Sequence, residues 1–291
     1  MKNLRKVVFP AAGLGTRFLP VTKSTPKEML PIVDKPLIQY GVEEALEAGF
    51  NNVIIVTGRG KNAIEDYFDY SHELEHILSQ RQDNETLEEI RKMPKQVDVA
   101  YIRQKKPLGL GHAILCAESL ICDEPFGVVL ADDIIDAKVP VLKQLVNVAK
   151  KVNAPVIALM EVPREMVKKY GIVKGEMVEN RLWEIKDMVE KPDVMDAPSN
   201  LAIIGRYILP AEIFKYLKKV KPGKNGEIQL TDALKIYAKK NKIYGYVFEG
   251  VRFDAGDKLG YIEANIMFAL KRKELKAGLI NICKKVVESE R

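Results

Sequence analysis

VVFPAAGLGTRFLPVTKSTPKEMLPIVDKP, residues 7–36, starts as a strand and turns into a loop suited to an anion. Val7, Val8 and Phe9 form a short apolar run typical of a buried strand, which breaks at Pro10. Ala11, Ala12, Gly13, Leu14, Gly15 and Thr16 follow, and residues this small let the backbone approach a ligand closely. A glycine-rich turn at a strand end exposes neighbouring backbone N–H groups, and such nests bind phosphate oxygens. Arg17, Lys23 and Lys27 come next, so the loop offers amide donors and three cations together, a combination that suits a triphosphate. Two familiar phosphate loops do not fit. Walker A requires G-x-x-x-x-G-K-[ST], which the segment from Gly13 lacks. The dinucleotide fingerprint G-x-G-x-x-G meets Phe18 where its third glycine belongs.

Outward from this loop, residues 37–49 read as a helix closed by Gly49, 52–57 (NVIIVT) as a buried strand and 60–68 as another helix. The rhythm predicts an α/β domain with a largely parallel sheet covered on both faces. Ligands of such sheets bind at the carboxyl ends of the strands, where the 11–27 loop would sit. Further strands are expected over 97–103, 126–131, 156–162, 201–207 and 243–249, and helices over 140–152, 210–219 and 228–240. The 291 residues read as one domain, 1–291, with a charged helical insertion at about 71–95 and a helical C-terminal segment at about 259–291. Apolar positions in that last segment predict packing on a neighbour, hence a homo-oligomer.

Composition narrows the function. A hydrophobic share of 47% is ample for a core, and a net charge of +6 spread through mixed acidic and basic residues suits an enzyme with anionic substrates better than a nucleic-acid binder. There is no apolar run long enough to span a membrane, and MKNLRK leads directly into the first strand, so a cytoplasmic protein is expected. Cys116, Cys122 and Cys283 are too few and too scattered for a disulfide framework or thiolate zinc site and read as reduced packing residues.

Three polar constellations remain. His72-Glu73-Leu74-Glu75-His76 matches H-E-x-x-H, which on a helix could bind zinc with Glu73 as base. Its polar neighbours Ser71, Ser79, Gln80 and Arg81, and the lack of a third ligand, favour a solvated helix instead. Gln104, ahead of Gly109, carries an amide that both donates and accepts, as reading a nucleobase edge requires, beside a glycine that leaves room for a flat ring. Asp132 and Asp133 end the apolar run FGVVLA, where carboxylates are costly unless paired or metal-bound, and hard oxygen ligands suit Mg²⁺ completed by substrate phosphates.

The segment from Gly13 matches G-x-G-T-R-x-x-P-x-T-x-x-x-P-K, and with PKEMLPIVDKPLIQY it resembles the sugar-1-phosphate nucleotidylyltransferases, in particular the bacterial UTP–glucose-1-phosphate uridylyltransferases. The likeness runs from Val7 to about Ala264. It implies a Rossmann-like three-layer αβα sandwich with a mostly parallel mixed central sheet, the nucleotide-diphospho-sugar transferase fold. It further implies Mg²⁺, the substrates UTP and glucose 1-phosphate, and a dimer or tetramer. By the same resemblance Ala11, Ala12, Gly13, Gly15, Thr16 and Glu28 hold the nucleotide, Gln104 and Gly109 read the base, and Arg17 and Lys27 neutralise its phosphates. Asp132 and Asp254 are then the metal ligands, and Lys191, in Glu190-Lys191-Pro192, holds the sugar phosphate. Asp133, Gly171, Glu190 and Ala202 contact the sugar. The nearest alternative is a thymidylyltransferase of the same fold; others are a sugar-nucleotide-binding regulator without catalysis and the zinc hydrolase suggested by HELEH.

Overall fold

The computed structural model describes residues 4–223 and 226–290; the first three residues of the MKNLRK terminus and Arg291 of the C-terminal segment lie outside them. The strand read from VVF is β1 (Lys6–Pro10), with Val7, Val8 and Phe9 fully buried. Successive side chains of a strand point to opposite faces. Val7 and Phe9 accordingly join one core cluster and Val8 the other. A strand apolar on both faces needs helices on both, and the remainder of the chain supplies them.

After two short strands, β2 (Pro31–Ile32) and β3 (Lys35–Pro36), comes helix α1 (Leu37–Glu47), then β4 (Asn52–Thr57) and α2 (Asn62–Phe68). The insertion forms two helices, α3 (His72–Gln80) and α4 (Asn84–Gln96), and leads to β5 (Asp98–Arg103). Next are α5 (Leu110–Cys116), α6 (Glu118–Ile121), β6 (Phe126–Val129), β7 (Asp133–Asp136), α7 (Val141–Val152) and β8 (Val156–Glu161). The later half contains β9 (Gly171–Glu179), β10 (Leu182–Glu190), β11 (Leu201–Leu209), α8 (Ile213–Leu217), α9 (Leu230–Ala238), β12 (Tyr244–Val247) and β13 (Val251–Asp254). Two helices finish the chain, α10 (Lys258–Lys271) and α11 (Lys273–Ser289).

Nine strands form one mixed sheet in the order β5-β4-β1-β6-β11-β8-β12-β10-β9. Helices α1, α2, α4 and α7 cover one face and α5, α6, α8 and α9 the other, giving three layers. In α7 the apolar spacing is plain: Val141, Leu142, Leu145, Val146 and Ala149 are buried, the i, i+4 stripe of an amphipathic helix. The expected parallel pairing holds for β5, β4, β1 and β6 and for β8 with β12. The other neighbours, β6–β11, β11–β8, β12–β10 and β10–β9, run antiparallel, so the sheet is less parallel than the strand–helix rhythm of the first half suggested. The reason is local: β9 and β10 are joined by a tight turn at Asn180 and Arg181, and antiparallel strands need no crossover helix.

Two other expectations change. The run 126–131 does not continue as strand to its end: β6 stops at Val129, and Asp133 opens β7, which pairs with β13 outside the main sheet. The C-terminal segment is helical as expected, in two helices that meet at Arg272. The cysteines are free, but only Cys116 is partly buried; Cys122 and Cys283 are exposed, because helix phase and chain reversals, not spacing, decide which side chains point inward. Both histidines of HELEH lie exposed on α3, and among the described residues no group of three His, Cys, Asp or Glu gathers to hold a metal.

Candidate active site

Where β1 ends, Ala11 N–H still donates to Val56 O at 2.9 Å, and the chain then leaves the sheet. Gly15 adopts φ 66°, the left-handed region that favours glycine, and Thr22 Oγ1 donates to its carbonyl at 2.8 Å. A Cβ at Gly15 would stand 3.2 Å from side-chain carbons of both Lys27 and Thr22, so the loop closes here only without a side chain.

The loop roofs one of two adjoining cavities, each of about 600 Å³. The first contains Ala12, Gly13, Gly15, Thr16, Lys27, Gln104 and Gly109 in its walls. The second is lined by Asp133, Gly171, Tyr207, Thr231, Arg252 and Asp254. Arg17, Asp132, Glu190 and Lys191 belong to both, so the two cavities form one cleft with a charged junction. Residues more than 170 positions apart in sequence meet there, brought together by the carboxyl ends of β1, β6 and β10.

At the junction Lys27 Nζ donates to Asp132 Oδ2 at 2.6 Å. Burial alone would lower the Lys27 ammonium pKa, but the charges of Asp132 and Glu28 reverse this and hold it above the ordinary lysine value. Burial likewise pushes the Asp132 carboxyl up, and Lys27 more than offsets that, leaving it below the usual carboxylate range. A Cβ built on Gly256 would be 3.0 Å from Asp132 Oδ2, 3.0 Å from Asp254 Oδ1 and 3.4 Å from Arg17 Nη1. Two carboxylate oxygens thus converge on one small space, and an ammonium already sits on one of them. That donor set fits a hard divalent cation: two carboxylates from the protein leave positions for phosphate oxygens and water, the arrangement Mg²⁺ favours.

Asp133 is engaged differently. Its Oδ2 accepts from Gly205 N–H at 2.9 Å and its Oδ1 faces the Arg252 guanidinium, so both oxygens are already committed to the protein. Burial raises its pKa, and although Arg252 opposes this, Asp132 and Asp254 add to it. Arg252 also reaches Asp254 Oδ2 at 3.2 Å and bonds Tyr170 Oη at 3.0 Å. Beneath the turn, the fully buried Arg206 grips Glu44 of α1 at 2.9 Å and donates to the carbonyls of Leu130 and Asp133, tying the carboxylate-bearing turn to the helix layer. On the opposite wall Glu190 Oε2 accepts from Thr231 Oγ1 at 2.7 Å. Lys191 has φ 46° and donates its backbone N–H to Tyr170 O at 2.9 Å, while its side chain is more than half exposed at the cleft mouth.

Of the residues expected in the site, Ala11, Glu28 and Ala202 are off the cleft walls. Ala11 is fully buried beneath the loop. Glu28 is buried under it too, paired with Lys61 at 2.7 Å, and its Oε1 lacks a hydrogen-bond partner among the described residues. Burial pushes the Lys61 ammonium down despite Glu28. Ala202 packs against Val162, Val167 and Ile172 on the far face of β11, whereas Ile203, Gly205 and Tyr207, of opposite phase, line the cleft. Reading the sequence also passed over Lys169, Tyr207, Gln229, Thr231 and Arg252 as wall residues. Arg252 alone carried a signal: two residues before Asp254 on one strand, it had to share that aspartate's face.

With a glycine-rich loop over one cavity, a carboxylate junction and a polar second cavity at the strand ends, the molecule has the layout of a nucleotidyl transferase. The nucleotidyl transferase family model matches residues 6–270, and the chain belongs to that family. It is 50% identical to the UTP–glucose-1-phosphate uridylyltransferase of Bacillus subtilis (strain 168), over 100% of this chain and 99% of that relative. Among solved structures it is similar to a UDP-glucose pyrophosphorylase complexed with UDP-glucose, at 52% identity and TM-score 0.86, covering 92% of this chain and 100% of the other. A UTP-bound enzyme from Acinetobacter baumannii matches at 40% identity and TM-score 0.89, over 96% of this chain and 98% of the other.

Proposed function

We infer that this chain transfers the uridylyl group of UTP to α-D-glucose 1-phosphate, forming UDP-glucose and pyrophosphate. The observation that carries the reading is the junction of the cleft, where Arg17, Asp132 and Lys191 border both cavities. A triphosphate held in the first cavity and a sugar phosphate in the second would meet at that point. An oxygen of the sugar phosphate attacks the α-phosphorus of UTP in line, the bond to the β-phosphate oxygen breaks, and pyrophosphate leaves. No protein nucleophile is needed, because positioning and charge neutralisation carry such transfers.

The obstacle is repulsion between two anions. Arg17 and Lys27 act on the triphosphate and Lys191 on the incoming phosphate, each at the edge where its charge is needed. In the ligand-free protein Lys27 spends one of its three ammonium hydrogens on Asp132, which leaves the others for a phosphate. Asp132 and Asp254 would hold Mg²⁺, which supplies charge neutralisation and orientation of phosphate oxygens. Gln104 and Gly109 face the base; Glu190, steadied by Thr231, and Gly171 face the sugar. Asp133 serves the sugar site indirectly by holding Arg252. We further propose that residues 1–291 work as one catalytic domain, in the cytoplasm, as a homo-oligomer assembled through the exposed apolar positions of α10 and α11.

The test is pyrophosphate release with Mg²⁺ and glucose 1-phosphate, with UTP and dTTP in parallel. Release with UTP well above dTTP is expected. Preference for dTTP would make the chain a thymidylyltransferase, and no release with either would favour a binding regulator.

A further inference from the structure

We propose that His112 locks the Gln104 amide in the orientation that the Gly109 carbonyl selects, and thereby makes the cleft select a pyrimidine that presents an N–H, not a lone pair, at ring position 3. The proposal deepens the reading above and rests on it, because it takes the base to lie against Gln104 and Gly109.

Gln104 follows β5 directly, and its N–H donates to Thr57 O at 2.9 Å, so the side chain starts from a fixed point at the end of the sheet. It lines the nucleotide cavity and is only 8% exposed. Its Nε2 is 3.1 Å from Gly109 O and 2.9 Å from His112 Nδ1. A backbone carbonyl only accepts, so the group facing Gly109 O has to be the NH₂ end of the amide. The opposite flip would set two acceptors against each other. One amide hydrogen is then used by Gly109 and the second falls to His112 Nδ1, which must be the unprotonated ring nitrogen.

Both amide hydrogens are therefore committed to the protein, and Oε1 has no hydrogen-bond partner among the described residues. Among the described residues Glu28 Oε1 is the one fully buried side-chain oxygen or nitrogen left unpaired. Gln104 Oε1 is consequently not sealed in: it opens on the cleft as a pure acceptor. Uracil offers N3–H to such a group, whereas cytosine offers a lone pair and is repelled. Gly109 O and His112 Nδ1 take the two hydrogens of the amide, so the group is held against the flip that would present its NH₂ end to a cytosine.

The experiment compares UTP with CTP in the wild type and in His112→Leu, His112→Asn and Gln104→Ala, by turnover with glucose 1-phosphate and by competition where CTP turnover is slow. In His112→Leu the UTP/CTP ratio of kcat/KM should fall by about tenfold, the order of one donor left unpaired. His112→Asn, whose amide oxygen can accept in place of Nδ1, should keep most of the ratio. An unchanged ratio in His112→Leu, or an equal loss in both His112 variants, would overturn the proposal. If Gln104→Ala keeps the ratio, the placement of the base fails, and the inference with it. Nitrogen-15 shifts of His112 in the wild type give a check that needs no variant: an Nδ1–H tautomer would refute the arrangement.

Discussion

Lys27 and Asp132, paired at the cleft junction, show how residues proposed for catalysis can also support the ligand-free fold. Asp132 has a pKa depressed below its ordinary value of 3.8 because Lys27 outweighs its burial. Its contribution to stability is therefore present above that value and lost as the pH falls through the lower, folded one. Asp132→Asn should unfold more readily than wild type at neutral pH, and the gap should narrow below pH of about 4; a gap that widened in acid would contradict the pairing. The same substitution should abolish the response of turnover to added Mg²⁺. Lys191 makes the opposite case, since its half-exposed side chain contributes little to the fold. Lys191→Ala should leave UTP affinity, measured by calorimetry, nearly unchanged, while turnover drops by about a hundredfold or more, the scale of losing one positioned donor at a reacting centre. Equal loss of both would rule out its assignment to the sugar phosphate.

Among the elements, α10 has a role that its distance in sequence conceals. Tyr261 Oη donates to Pro31 O at 2.6 Å, Asn265 Oδ1 accepts from Val33 N–H at 2.9 Å, and Arg272 pairs with Asp34. Tyr261 and Ala264 pack with Phe18, Leu30 and Ile32 in one small cluster. The helix therefore clamps the β2–β3 hairpin that directly follows Lys27 and Glu28. Val33, β-branched and at φ 62°, is strained there, and Asn265 holds its amide in place. Asn265→Ala should cost about 1 kcal/mol, read as a lower urea midpoint with unchanged slope. It should also raise the KM for UTP more than it lowers kcat, because the loop it supports is the one proposed to bind the triphosphate.

At the scale of the whole molecule, the sheet divides the labour. Its parallel half, β5-β4-β1-β6, brings the nucleotide loop and Asp132 to one edge, and the antiparallel hairpin β9–β10 returns Glu190 and Lys191 to face them. The last helix stands apart from this work. No residue of α11 is buried, and Leu275, Ile280, Ile282, Val286 and Val287 are exposed on it. A contiguous apolar face of this kind calls for a partner surface. A chain ending at Arg272 should keep a cooperative thermal transition and measurable turnover but sediment as a smaller species than the full chain. Unchanged sedimentation would remove α11 from the assembly surface.

What the sequence determined by itself was the chemistry that is local along the chain. The loop 11–27 declared its glycines and cations within a few residues, the apolar runs marked most strands, and Asp132 stood out as a carboxylate ending a buried strand. Phosphate binding needs several donors close together, and a single turn can supply them, so that part of the site was legible. Only the tertiary structure decided the rest. Tyr207, Gln229 and Thr231 line the cleft through strand pairing and helix packing across long separations, which leave no pattern at short range. Ala202 lies off the cleft wall, because alternation along β11 reveals two faces but not which one meets the cleft. Asp133 carried the same residue type as Asp132 one position earlier, yet Arg252 and Gly205 hold its oxygens inside the protein. Which carboxylate is free to act depends on the partners the fold brings to it, and those lie 72 and 119 residues away.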